Sequence, residues 1–108
     1  ARQLSICSGT IANRGVNPVT KKKVFDAELT SKIVAMIASV GFYEHTGDWI
    51  FTSGIPAKTG VGGGIVGVLP GVMGIAAFSP KLDGSGNSVR AQNAIKYITN
   101  KLGLNLFG

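Results

Sequence analysis

Apolar side chains recur every three or four residues in three stretches of the chain, as they do along one face of an α-helix. This spacing predicts helices over Arg2–Ala12, Ala27–Val40 and Val89–Leu102, with Asp26 placed to cap the second and either Asn87 or Ser88 placed to cap the third. The residues expected to face the core are Leu4, Cys7, Ser8 and Ile11 in the first helix, Leu29, Ile33, Met36, Ile37 and Val40 in the second, and Ala91, Ala94, Ile95, Ile98 and Leu102 in the third.

Between the second and third helices the helical spacing is lost, and β-branched, aromatic and glycine residues predominate. The pattern predicts strands over Asp48–Thr52, Gly62–Leu69 and Val72–Phe78, with Pro70-Gly71 as the turn of a hairpin. The last two strands are apolar at successive positions, so we expect both of their faces to be covered. The order of elements indicates an α+β fold, with an antiparallel sheet of about three strands and helices packed on it.

Composition excludes several classes of function. Eleven Lys and Arg against five Asp and Glu give a net charge of +6, yet the cations are scattered apart from the run Lys21-Lys22-Lys23. That run follows a turn and is expected to be a solvated loop, with an anion or nucleic-acid surface as the alternative. One Cys and one His cannot build a disulfide framework or a zinc site of Cys and His. No apolar run is long enough for a membrane span and no signal peptide is visible, and the lone Cys7 fits a reducing, cytoplasmic location.

The densest motif is the glycine-rich segment from Gly54 to Ile65. It is not a phosphate-binding P-loop, because that loop ends in Gly-Lys-Ser/Thr and leads into a helix. Gly62, Gly64 and Gly67 match the spacing of a dinucleotide fingerprint, but Pro70-Gly71 leaves no room for the helix that the fingerprint needs. Lys58-Thr59-Gly60 before a strand is one of the motifs of penicillin-binding proteins and class A β-lactamases.

Longer stretches carry a more specific resemblance. They are Asn13–Pro18, Gly41–Glu44 with Gly47, Ala57–Ile65 with Gly54 and Pro56, Met73–Ala76 with Ser79-Pro80, and Leu82-Asp83 with Gly86–Ser88. In this order they resemble the bacterial and mitochondrial glutaminases of the serine-dependent, β-lactamase-like type. The resemblance implies that residues 1–108 are a single partial domain, the C-terminal segment of a glutaminase with the β-lactamase or penicillin-binding fold. This sequence departs from the family pattern at Thr59, Val40 and Glu44, where serine, cysteine and aspartate are usual.

The resemblance also implies a mechanism. A serine in a Ser-x-x-Lys motif attacks the side-chain amide of L-glutamine, an acyl-enzyme forms, ammonia leaves and water releases glutamate. By alignment, Tyr43 is a catalytic and substrate-binding residue, the backbone N–H of Val61 joins the oxyanion hole, and Lys58, Thr59 and Gly60 border the site. No cofactor is implied, and the intact enzyme is expected to be a homo-oligomer without nucleic-acid or membrane partners.

The nucleophile is expected to lie outside this chain, since none of its eight serines is followed three residues later by lysine. The segment alone is therefore expected to be inactive. Three other residues are given structural roles: His45 as an exposed turn residue, Cys7 as a small core residue and Trp49 as a packing residue in a strand. Two alternatives stay open, a free-standing anion or nucleic-acid binding module and a penicillin-recognising protein on the same fold.

Overall fold

The computed structural model describes residues 1–108, with four α-helices and one three-stranded antiparallel sheet. The helices are α1 (Arg2–Ala12), α2 (Thr30–Val40), α3 (Thr46–Ser53) and α4 (Val89–Leu102), with single 3₁₀ turns at Ala27–Leu29 and Tyr43–His45, and the strands are β1 (Ala57–Thr59), β2 (Gly64–Leu69) and β3 (Met73–Phe78). No helix combines the length and the hydropathy that a bilayer crossing requires.

Strand β2 is the centre of the sheet, with β1 and β3 on either side. Because successive side chains of a strand point to opposite faces, β2 packs against helices on both sides. On one face α1 approaches β3 so closely that a Cβ on Gly74 would lie 2.1 Å from the backbone nitrogen of Gly9. On the other face Ile65 and Leu69 form a buried cluster with Ile95 of α4. The predicted arrangement of helices on both faces of an antiparallel sheet is confirmed.

The first predicted strand is wrong, because residues 48–52 lie within helix α3. Trp49 and Ser53 are both buried, and their spacing of four places them on one helical face. Gly54 then ends the helix in the left-handed conformation, at φ 66°. The indole of Trp49 also donates to the Ile55 carbonyl at 2.7 Å and stacks on Phe42 with 4.2 Å between ring centroids. Packing thus overrides the strand preference of an aromatic and β-branched sequence, and the packing role of Trp49 is confirmed.

The first strand of the sheet is instead β1, in a segment where the sequence pattern predicts a loop before a strand. Ala57 and Thr59 are buried while Lys58 is exposed, which is the alternation of a half-covered strand. Three residues carry too short a pattern to be distinguished from a turn, so pairing with β2 decides the structure here.

Helix faces are predicted less well than helix positions. Helix α4 has the predicted bounds, and the Ser88 hydroxyl accepts from the backbone N–H of Ala91 at 3.3 Å as its cap. In α2, however, Met36 and Val40 are 68% and 59% exposed. Cys7 is likewise exposed rather than in the core. An apolar period shows that a face can be buried, but it does not show what covers it.

The basic run Lys21–Lys23 is exposed, as expected for a solvated loop. Lys23 forms an ion pair with the Asp26 carboxylate three residues later. No aromatic ring lies over these three lysines, whereas the cation–π contacts of the chain involve Lys58, Lys96 and Lys101.

Candidate active site

Tyr43 lies in the 3₁₀ turn that joins α2 to α3, and the backbone before it fixes its position. The Gly41 carbonyl accepts a hydrogen bond from the backbone N–H of Thr59 in β1 at 3.0 Å. A Cβ on Gly41 would lie 1.8 Å from the Ala57 carbonyl oxygen, so only glycine allows the two backbones to approach this closely. Phe42 is buried on Trp49. Tyr43 is thereby held beside β1, half exposed and with a positive φ of 53°.

Lys58 and Thr59 point to opposite faces of β1. The Lys58 ammonium lies 4.9 Å from the centroid of the Tyr43 ring and donates to the Thr59 carbonyl. The Thr59 hydroxyl is buried and has no hydrogen-bond partner. The structure therefore brings the lysine, and not the threonine hydroxyl, to Tyr43.

Val61 sits in the turn that joins β1 to β2. The backbone N–H of Gly60 donates to the Gly64 carbonyl at 3.0 Å, and that of Gly63 donates to the Gly60 carbonyl at 2.9 Å. The backbone N–H of Val61 takes part in no hydrogen bond within the chain. Val61 is 69% exposed, so it belongs to an open turn, and its N–H has no partner within the chain.

The loop that contains Gly86, which the sequence does not mark as part of the site, lies beside both Tyr43 and Val61. A Cβ on Gly86 would lie 3.4 Å from Cγ1 of Val61 and 3.9 Å from Cε2 of Tyr43, so all three residues are neighbours. The Asp83 carboxylate organises this loop by accepting from the backbone N–H groups of Ser85 and Asn87 at 2.9 and 3.0 Å. In the sequence, the turn pairs Asp83-Gly84 and Ser85-Gly86 indicate a loop, but they do not indicate which residues the loop contacts.

Carboxylates surround the turn that carries Tyr43. The pKa of Glu44 is lowered by hydrogen bonds that its carboxylate accepts from the backbone N–H of Glu44 and from the Ser85 side chain. The backbone N–H of Asn87 is the main cause that lowers the pKa of Asp83. His45 is exposed, as predicted, and its Nδ1 lies 3.0 Å from the Asp48 carboxylate. That contact raises the pKa of His45 above its ordinary value.

The His45 contact makes a testable prediction about pH. Because its pKa is raised on folding, the protonated His45 stabilises the fold at pH values below its unfolded pKa, and this contribution is lost as the pH rises through the folded pKa. Asp48→Asn is expected to move the pKa of His45 back toward its ordinary value, measured by NMR titration of the ring protons. The matched change Asp26→Asn, in a pair with Lys23, should leave that titration unaltered. Equal His45 titrations in Asp48→Asn and the unaltered chain would contradict the assignment.

The assembled site is an open surface rather than a closed pocket. Tyr43, Lys58 and Val61 are all exposed, and none of them lines the cleft of about 140 Å³ that Phe42 and Trp49 border. No group of three or more His, Cys, Asp or Glu side chains is placed to hold a metal ion. The chain thus presents one aromatic hydroxyl, one unpaired backbone N–H and one ammonium on a single face, with no serine–lysine pair of the Ser-x-x-Lys kind.

The three-stranded antiparallel sheet between helices, with Lys-Thr-Gly at the end of its first strand, agrees with part of a β-lactamase-like fold. The glutaminase family model matches residues 1–107, and the chain belongs to the glutaminase family. A glutaminase of Bacteroides fragilis is 76% identical over 107 residues. Glutaminase 1 of Escherichia coli K12 is 49% identical over 105 residues.

Solved structures agree with this assignment. The chain superimposes on the probable glutaminase ybaS with a TM-score of 0.95 and 48% identity, over 97% of this chain and 34% of that one. The Bacillus subtilis glutaminase YbgJ gives a TM-score of 0.91 at 25% identity, over 98% of this chain and 39% of that one. The chain spans about a third of the length of the curated relatives that it matches, for example 33% of the Bacteroides fragilis protein.

Proposed function

We propose that this chain is the C-terminal part of a glutaminase that hydrolyses L-glutamine to L-glutamate and ammonia. The observation that carries the proposal is that Tyr43 and Val61 both lie beside Gly86, with the Val61 N–H unpaired, in a chain of the glutaminase family. The nucleophilic serine and its lysine belong to a part of the enzyme outside this chain. Cytoplasmic location and assembly as a homo-oligomer are further parts of this proposal.

Each residue has a role that its chemistry can perform. The Tyr43 phenol can donate and accept a proton, so it relays a proton between the serine, the amide and the departing ammonia. The Val61 N–H donates to the oxygen that becomes negatively charged when the amide carbon turns tetrahedral, and one such donor typically contributes ~2.7–4 kcal/mol. Gly60 and the glycines after Val61 keep side chains away from this turn, and Lys58 and Thr59 border it.

A relative supports the substrate class. The Bacillus subtilis glutaminase YbgJ forms a covalent complex with 5-oxo-L-norleucine after reaction with 6-diazo-5-oxo-L-norleucine. That ligand has a ketone carbon at the position where L-glutamine has its amide carbon. A site that reacts with this ketone-bearing amino acid is suited to attack the glutamine side chain, and we extend that suitability to this chain's family-matched residues.

The test places this chain in an enzyme that supplies the rest of the active site. In the chimera, the chain replaces the matching 107 residues of the Bacteroides fragilis glutaminase, to which it is 76% identical. We expect the chimera to release ammonia from L-glutamine at a rate within tenfold of the parent enzyme, and the chain alone to release none. A folded chimera without glutaminase activity would contradict the proposal, and activity in the chain alone would contradict the external nucleophile.

A further inference from the structure

We propose that Lys58 is a positioning residue that holds the Tyr43 ring in place through a cation–π contact. The inference rests on the proposed function, and it assigns to Lys58 a role toward Tyr43 rather than toward the substrate. Its basis is the 4.9 Å separation between the Lys58 Nζ and the centroid of the Tyr43 ring. This distance is within the range over which an ammonium is attracted to the face of an aromatic ring.

The Lys58 charge is available for this contact. The ion pairs of the chain join Lys23 to Asp26 and His45 to Asp48, and no carboxylate pairs with Lys58. The Lys58 ammonium donates to the Thr59 carbonyl, which anchors it to β1 without neutralising it. Pairing of β1 with β2 in turn fixes the strand, so the charge is presented from a rigid element.

Tyr43 combines an unusual backbone conformation with a ring that is partly uncovered within this chain. Its backbone has a φ of 53°, a conformation that non-glycine residues rarely adopt, and its side chain is 42% exposed. Lys58 lies on the face of the ring and Gly86 lies near its Cε2 edge, so a change at Lys58 removes a contact made by the ring face itself.

Kinetics distinguish positioning from substrate binding. If Lys58 held the α-carboxylate of glutamine, its loss would weaken binding and raise KM with little change in kcat. If Lys58 orients Tyr43, its loss displaces a proton-transfer group, so kcat falls while KM stays nearly constant. Arginine keeps a cation that can stack on the ring, and it should therefore restore the activity that a neutral side chain loses.

The experiment uses the chimera described above, with Lys58→Met, Lys58→Gln and Lys58→Arg. We expect the two neutral variants to lower kcat about fivefold with KM within twofold, and Lys58→Arg to return kcat to within twofold. The matched control is Lys101→Met, because the Lys101 ammonium lies 5.6 Å from the Tyr97 ring, away from the site. That variant should not change kcat or KM.

Each other outcome overturns the inference. A rise in KM at constant kcat would assign Lys58 to the substrate, and unchanged kinetics would remove it from the site. Loss of activity in Lys58→Arg equal to that in Lys58→Met would also contradict a cation–π role. Activity of the chimera without these changes tests the proposed function separately, so failure of the inference cannot be confused with failure of the function.

Discussion

Tyr43→Phe in the chimera is expected to lower kcat for glutamine hydrolysis by a factor of ~10²–10⁴, the contribution of a positioned general acid or base. The substitution removes only the hydroxyl. The ring remains over the Lys58 ammonium, and the turn keeps its backbone, so binding and folding should change little. The measurement is steady-state ammonia release, with the denaturation midpoint recorded on the same preparation.

The chain contains its own control for this change. Tyr97 on α4 is 65% exposed and also has a lysine ammonium over its ring, that of Lys101 at 5.6 Å. Tyr97→Phe therefore makes the same chemical change beside the same kind of cation, but away from the site, and should leave kcat within twofold. If Tyr43→Phe kept kcat within threefold of the unaltered chimera, Tyr43 would not transfer a proton in the reaction.

The sequence predicted well those elements that are determined by caps, turns and the spacing of their own apolar residues. Helix α4 has a side-chain cap at Ser88, a glycine after its last residue and a sustained apolar face, and its predicted bounds match the structure. The hairpin of β2 and β3 has the turn Pro70-Gly71 and was found to within two residues. Residues 46–59 differ from the prediction, because helix α3 lies where a strand was expected and strand β1 lies where a loop was expected. Tertiary packing of Trp49 determines the helix, and pairing with β2 determines the strand.

In the candidate site, too, some features could be predicted from the sequence and others depend on tertiary contacts. Tyr43 and Val61 were found through motif resemblance, since neither side chain is unusual by type or spacing. Their relation to Lys58 and Gly86 depends on contacts between residues 15 to 43 positions apart, and on a positive φ at Tyr43 that no residue preference predicts. The hydrophobic pattern could not supply these contacts, because they lie on an exposed face of the molecule.

Gly41→Ala is expected to have the largest effect on stability among the glycine substitutions around the site. The added Cβ would lie 1.8 Å from the Ala57 carbonyl oxygen and 2.5 Å from that of Ile37, and neither backbone can move away cheaply. To relieve these two close contacts, the Tyr43 turn must move away from β1. That movement breaks the hydrogen bond from the Thr59 backbone N–H to the Gly41 carbonyl. Overpacking of this kind costs typically 1–3 kcal/mol, and we expect about 3 kcal/mol because both contacts are with main-chain atoms.

Urea unfolding of the chimera measures this loss as a lower midpoint, and glutaminase activity should fall with it because Tyr43 moves away from Val61. Gly47→Ala is the matched control six residues along the chain, at a glycine whose Cβ would meet nothing within 4 Å and whose φ is not positive. That change should leave the midpoint the same or raise it slightly, since alanine restricts the unfolded chain. Equal midpoints in Gly41→Ala and Gly47→Ala would mean that the close approach of the two backbones does not determine where Tyr43 lies.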